Sequence, residues 1–403
     1  MKNDPDFSAT QWERRALPED GAAGTLIGRA WVPASKDNPV AGPAVVVVRE
    51  DGVYDISRTI ATMADLINAA DPLALVKGAG GAVRLGAVGE LMANSFPKSR
   101  DAAGPFLLAP VDLQSVKAAG VTFAASLVER VIEERAKGDP ANAEAIRADF
   151  SARIGTDLST VRPGSETAQR LKQALIQEGL WSQYLEVGIG PDAEVFTKCQ
   201  PMASVGFGAD VGVRSDSTWN NPEPEIVLVV DARGRCLGAS LGNDVNLRDF
   251  EGRSALLLGK AKDNTGSCAI GPFIRLFDAT FTLDDVRVCD VTLEIEGPDG
   301  FKLNGVSSVS RISRDLLDLV SQTIGASHQY PDGFVLFIGT MFAPTQDRDA
   351  PGKGFTHKVG DVVNIASPKL GTLVNRVEHC EEVEPWTFGI SALMRNLMAR
   401  GLL

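Results

Sequence analysis

Histidine is scarce in this chain and paired cysteine is missing. The three histidines, His328, His357 and His379, stand at no metal-ligand spacing, and a lone histidine is more often a surface or hydrogen-bonded residue than a ligand. The five cysteines, Cys199, Cys236, Cys268, Cys289 and Cys380, are scattered and odd in number, with no Cys-x-x-Cys pair. That argues against a disulfide framework or thiolate zinc site and for a reducing compartment. No stretch approaches the roughly 18 apolar residues of a membrane-spanning helix. The opening Met1-Lys2-Asn3-Asp4-Pro5-Asp6 is acidic and lacks the apolar core of an export signal. A cytoplasmic protein is therefore expected. Basic excess is absent too: the net charge of −12 disfavours nucleic acid or an anionic membrane as a partner. An anionic small substrate is compatible with it where a metal supplies local positive charge. Internal repeats and low-complexity segments are also lacking.

What remains is an ordinary globular composition, 44% hydrophobic and 23% charged over 403 residues, enough for two or three domains and a substantial core. Residues 1–110 carry short apolar strands, of which 43–48 is the clearest, with a helical insertion near 59–70. Residues 120–150 change to a helical period, with Val121, Leu127, Val128, Val131 and Ile132 apolar and Glu129, Arg130, Glu133, Glu134 and Arg135 on the polar face. A second helix is predicted over 165–181, capped by Ser165. Strands dominate again from 188 to about 310, interrupted by a Gly-rich loop at 204–212. A helix at 313–326, strands at 333–339 and 361–365 and a closing helix at 386–400 follow. The expected fold class is α+β: a small β-rich N-terminal α/β domain over 1–110, a helical connecting segment over 111–187 that contributes to the site, and a β-rich catalytic domain over 188–403.

Three acids mark the place where chemistry is expected. Glu223 and Glu225 head the β-branched run 225–230, and period two puts both on one face of its leading edge. If the chain turns about Arg233 and Gly234, the return strand runs antiparallel with opposed residue numbers summing to 467, which sets Glu223 opposite Asp244. Three carboxylates a few Å apart repel and raise each other's pKa unless a cation joins them. Oxygen-only ligands suit Mg²⁺ or Mn²⁺. A solvated strand end with unrelated acids is the competing reading from spacing alone.

Pro222-Glu223-Pro224-Glu225, then Leu241-Gly242-Asn243-Asp244-Val245-Asn246-Leu247-Arg248-Asp249, then Lys262 nine residues before Gly271-Pro272, together resemble the fumarylacetoacetate hydrolase family. Gly339-Thr340 and Gly360-Asp361-Val362-Val363 match its closing elements, and the resemblance covers about 190–380. The stretches 243–250, 261–264, 327–333 and 354–358 look like its sugar-acid branch, the dehydratases. The resemblance implies that Glu223, Glu225 and Asp244 hold the metal and that Lys262 lies in the active site. Lys198 resembles the family's lysine on the strand entering the site. With Thr340 it is a candidate for the substrate carboxylate, and Asp263, Arg248 and Thr122 are further substrate-binding candidates.

The family's hydrolases carry a histidine and, three residues later, a glutamate on a short helix that activates water. Here those positions hold Ser126 and Glu129. Without the imidazole no ordinary base makes hydroxide at neutral pH, so hydrolysis is disfavoured. The implied reaction is metal-dependent dehydration of a 2-keto-3-deoxy sugar acid derived from xylonate or arabinonate, giving 2,5-dioxopentanoate. Lys262 is the expected C3 base or enolate-stabilising donor, its ammonium form disfavoured near a dication, and Glu129 or a metal-bound water the acid for the leaving hydroxyl. Acylpyruvate hydrolysis, oxaloacetate decarboxylation and non-enzymatic sugar-acid binding are the alternatives. A homodimer or homotetramer is expected.

Overall fold

The computed structural model describes residues 15–36, 38–154, 158, 161–342, 344–350 and 354–403. The elements that build the site are the strands β1 (Leu26–Val32), β2 (Ser115–Gly120), β3 (Glu194–Cys199), β4 (Pro224–Val230), β5 (Cys236–Asp244), β6 (Cys268–Leu276) and β7 (Phe334–Phe337). With them stand the helices α1 (Ala124–Ala136), α2 (Pro140–Ile154) and α3 (Leu258–Lys262). The apolar runs read as strands are strands: β4, β7 and Gly42–Arg49 each fall where the sequence places them.

An eleven-stranded sheet runs in the order Val83–Gly86, Gly52–Asp55, Gly42–Arg49, β1, β6, β5, β4, β7, β2, β3, with Phe106–Leu108 paired beside β1. Its pairs are antiparallel except β7 with β2. A five-stranded sheet, ordered Lys302–Ser308, Asp290–Glu296, Val362–Ser367, Gly371–His379 and Asp210–Val213, packs against one face. Period two sorts β4 between two cores. Ile226, Leu228 and Val230 join Leu293 and Leu373 from the second sheet, while Val227 and Val229 join Leu66 and Ile67 of the helix Met63–Asn68. Burial on both faces explains why β4 is a continuous apolar run rather than an alternating one. Each of these side chains stabilises the fold by about 1.5–3 kcal/mol.

The boundary expected at residue 110 does not divide the sheet. β1 pairs with β6 through Leu26↔Arg275 and Ile27↔Ile274, and β2 pairs with both β7 and β3. Strands from all three expected segments therefore satisfy one another's backbone groups in a single ladder.

The helical stretch read over 120–150 breaks at Lys137 and Gly138, with φ of 53° and 71°. Asp139, which accepts from the N–H of Ala141, and Pro140 at the start of α2 give the break its chemistry. A side chain at Gly138 would also meet Asp249 O at 2.4 Å, so the turn sits close beneath the segment that follows β5. The polar face of α1 is not the solvated face its sequence suggests: Arg130 and Glu133 are buried against the site, where opposite charges meet them. Ser165 caps the helix Glu166–Gln177 as predicted, accepting from Ala168 N. Among the described residues no helix is long and apolar enough to cross a membrane.

Candidate active site

The hairpin of β4 and β5 brings the three acids together. Its register is the predicted one, from Pro224↔Asn243 and Glu225↔Gly242 to Val229↔Gly238, and Asp244 N donates to Glu223 O at 2.9 Å. It slips only next to the turn, where Val230 faces Cys236. One carboxylate oxygen from each of Glu223, Glu225 and Asp244 lies within 4.8 Å of the others, and all three residues are no more than 2% exposed. The solvated strand end is thus ruled out. Gly339, at a φ of 100°, follows β7 and donates its N–H to Glu225 Oε2 at 2.7 Å. A side chain there would lie 1.9 Å from Thr122 Oγ1, which is why the Gly339-Thr340 turn needs its glycine.

Four buried cations surround the acids. Lys262 Nζ, at the end of α3, contacts Glu223 Oε2 and lies 3.1 Å from Asp244 Oδ2. Lys198 Nζ, on β3, reaches Asp244 Oδ1 at 2.7 Å and donates to the carbonyls of Val245 and Lys262. Arg130, on α1, contacts Glu223 Oε1 and Glu133, and its Nε lies 3.3 Å from Glu251 Oε1. Arg248 Nε lies 3.0 Å from Glu133 Oε1. With Glu194 the group comprises six acids and four bases. If all ionise, two negative charges remain in excess, the charge of one divalent cation. Three hard oxygen donors converging in that setting fit Mg²⁺ or a like ion.

The electrostatics separate two neighbouring glutamates. Burial would raise the Glu223 carboxyl, but Lys262 and Arg130 overcome it and hold the group down at about 2. Among the described residues no cation pairs with Glu225, and burial with Asp244 and Glu223 beside it pushes its pKa well above the usual carboxylate range. The expected loss of the Lys262 ammonium form belongs to a site that holds a dication; without one, its acidic neighbours decide its charge. Burial lowers its pKa, yet Asp244 and Glu223 more than compensate and keep the pKa above that of an ordinary lysine. A lysine so held donates hydrogen bonds more readily than it takes a proton.

Ser126, Thr340 and Lys262 line a small cavity together with the three acids, Arg130 and Glu194. Its volume is about 10 Å³, room for one water molecule. Ser126 donates to Phe123 O at 2.9 Å, and Thr340 Oγ1 to Phe342 O at 3.1 Å. The remaining sequence candidates do not line this cavity. Glu129 is held by both nitrogens of the Arg147 fork at 2.7 Å, which directs its carboxylate toward α2 instead of the cavity. Thr122 donates to Ile338 O at 2.6 Å, Arg248 serves Glu133 and Pro344 O, and Asp263 is solvent-exposed past the end of α3. Lys198 is fully buried with each contact directed at protein oxygens, so it orients Asp244.

Sequence reasoning missed Arg130, Glu133, Glu194 and Glu251. Arg130 and Glu133 carried a signal as an i,i+3 ion pair on a helix. Glu194 opens β3 opposite Gly120, and burial followed by the neighbouring Glu251 pushes its pKa up to about 7. Among the histidines, His357 is buried on Asp361 at 3.0 Å, and Arg348 grips the same carboxylate at 2.7 Å. That cluster is structural.

Residues 190–378 match the family model of the fumarylacetoacetate (FAA) hydrolase C-terminal domain. A Saccharolobus solfataricus protein named 2-dehydro-3-deoxy-D-arabinonate dehydratase is 34% identical over 188 residues, 46% of this chain and 58% of its own. The match thus spans little more than half of that relative's length. A Haloferax volcanii protein named "Probable 2-keto-3-deoxyxylonate dehydratase" is 30% identical over 230 residues, 57% of this chain and 75% of its own. Among solved structures, a 2-keto-3-deoxy-D-arabinonate dehydratase complexed with magnesium and 2,5-dioxopentanoate superposes with a TM-score of 0.55 at 22% identity. It covers 88% of this chain and 99% of that one, a likeness of fold.

Proposed function

We propose a dehydratase role for this chain, which belongs to the fumarylacetoacetate hydrolase family: the metal-dependent removal of water from a 2-keto-3-deoxy-pentonate, derived from xylonate or arabinonate, to give 2,5-dioxopentanoate. The observation that carries the reading is the buried carboxylate trio, flanked by Lys262, in a cavity where Ser126 takes the place of a water-activating imidazole. The names of the two relatives support the same substrate class. Glu223, Glu225 and Asp244 would hold Mg²⁺ or Mn²⁺. When bound, the ion supplies a Lewis acid for the keto-acid head.

The chain's own groups then have distinct tasks. Lys262 donates to the C2 oxygen as enolate charge develops there. One proton leaves C3 for the water that the cavity has room for, the C4–O bond breaks, and the hydroxyl departs as water once it takes a proton, so one proton is released and one consumed. Glu194 lines the cavity with a pKa near neutrality, which suits that proton transfer better than Glu129, already bound to Arg147. The enone that remains tautomerises: the C5 carbinol gives up one C–H and one O–H hydrogen, and C3 and C4 each regain one.

We also place the protein in the cytoplasm as a homo-oligomer. Its five unpaired cysteines and the exposed stripe of Ile390, Met394 and Met398 on the helix Ile390–Ala399 support this. Chelation tests the metal role. Protein treated with EDTA is expected to lose turnover and regain it with Mg²⁺, whereas full turnover after chelation refutes the role.

A further inference from the structure

We propose that Arg130 is an exchangeable counter-ion, resting on the metal reading above: it holds Glu223 until a divalent ion takes that oxygen, and then turns its freed edge to the substrate carboxylate. The geometry gives the guanidinium three separate attachments. One terminal nitrogen contacts Glu133, Nε lies 3.3 Å from Glu251, and the other terminal nitrogen contacts Glu223 Oε1. Glu133 is itself fixed by Arg248 at 3.0 Å. Two anchors therefore remain when the third is lost, and the group stays beside the trio with one edge unpaired. An unpaired buried guanidinium edge is costly, so it requires a new anion.

A keto acid that chelates an ion held by Glu223, Glu225 and Asp244 presents its carboxylate where Arg130 already points. Among the described residues no other cation there is as free to take it. The Lys198 contacts all fall on Asp244 and two carbonyl oxygens, and Lys262 bridges Glu223 and Asp244. The planar fork of arginine also matches a carboxylate better than an ammonium does. Arg130 lines the cavity and is nine-tenths buried, so the exchange takes place away from competing water.

The proposal makes a prediction of unusual sign: removing the arginine tightens metal binding and weakens binding of the keto-acid head. The test is calorimetry on the full chain, with no turnover involved. Mg²⁺ is titrated into wild type, Arg130→Gln and Arg130→Lys, and pyruvate, the smallest keto-acid head, is then titrated into the Mg²⁺-loaded proteins. Arg130→Gln is expected to bind Mg²⁺ about 3- to 10-fold more tightly and pyruvate at least about tenfold more weakly, since a competing charge-assisted bond is lost in the first case and a partner in the second. Arg130→Lys keeps a charge beside Glu133 and guards against misfolding of the neutral variant. It is expected to lose pyruvate affinity with little loss of metal affinity. Metal affinity that falls in both variants, or pyruvate affinity that stays at the wild-type value, overturns the proposal and leaves the metal site standing. A wild type that binds no divalent ion overturns both.

Discussion

Glu223 and Glu225 sit two residues apart at the head of one hairpin and carry the same carboxylate, yet the same substitution should move stability in opposite directions. Glu223 is paired with Lys262 and Arg130 and held at about 2, against about 4.3 for an unfolded glutamate. A lowered folded pKa contributes stability that is present above the unfolded value and lost as pH falls toward 2. The difference of just over two units corresponds to about 3 kcal/mol at neutral pH. Glu223→Gln removes that contribution and leaves two buried cations short of a partner, so a loss of about 3–5 kcal/mol is expected. Glu225 has its pKa raised, by burial first and then by Asp244 and Glu223. Keeping it ionised therefore costs stability as pH rises above the unfolded value. Glu225→Gln mimics the neutral acid and can still accept from Gly339 N, so unchanged or higher stability is expected with divalent ions chelated. Both variants should lose Mg²⁺ binding, because each removes an anionic ligand from the same donor set. Urea unfolding at pH 7 in EDTA, paired with Mg²⁺ calorimetry, reads both effects. Equal destabilisation of the two variants would refute the account of the site's electrostatics.

Three further outcomes follow from single contacts. Glu194→Gln should abolish dehydration while metal affinity holds, and wild-type kcat/KM should decline as pH rises through about 7, where the acid loses its proton; a Gln variant with undiminished turnover excludes Glu194 as the acid. Ser126→His places a larger ring against a cavity of about 10 Å³, so about 1–3 kcal/mol of overpacking, loss of dehydration and at most trace acylpyruvate cleavage are expected; product analysis on both substrates decides. Asp361→Ala strips Arg348 and His357 of their shared carboxylate and should cost about 3–5 kcal/mol at pH 7. Although burial raises the Asp361 pKa, Arg348 and His357 lower it overall, so its contribution is present above about 4 and lost as pH falls below that. Urea unfolding at pH 7 that shows no loss in the variant refutes the role.

The carboxylate trio was legible because strand geometry is periodic and a tight turn fixes the antiparallel register. Two residue spacings and one turn sufficed to place Glu223 opposite Asp244. The cations were harder to read. Whether Arg130 and Glu133 face water or a buried site depends on how α1 docks, and a helix face that buries paired charges looks the same in sequence as one that meets solvent. Glu129 illustrates the reverse case: its position resembles a catalytic one, but Arg147, eighteen residues later on α2, captures the carboxylate. Lys198 is legible as a lysine near the acids, but its two carbonyl partners are not, because they come from segments that meet only in the folded chain. The shared sheet was hidden for a similar reason. The pairing of β1 with β6 joins residues some 250 apart, and local pattern carries no trace of such a contact.

The central claim is that this site removes water from a keto sugar acid and does not cleave a carbon–carbon bond with it. Wild-type protein with Mg²⁺ should be incubated separately with a 2-keto-3-deoxy-pentonate and with an acylpyruvate, and the products identified by mass. The account predicts loss of one water from the sugar acid, giving 2,5-dioxopentanoate, with the acylpyruvate left intact. Efficient cleavage of the acylpyruvate with the sugar acid unchanged would contradict it.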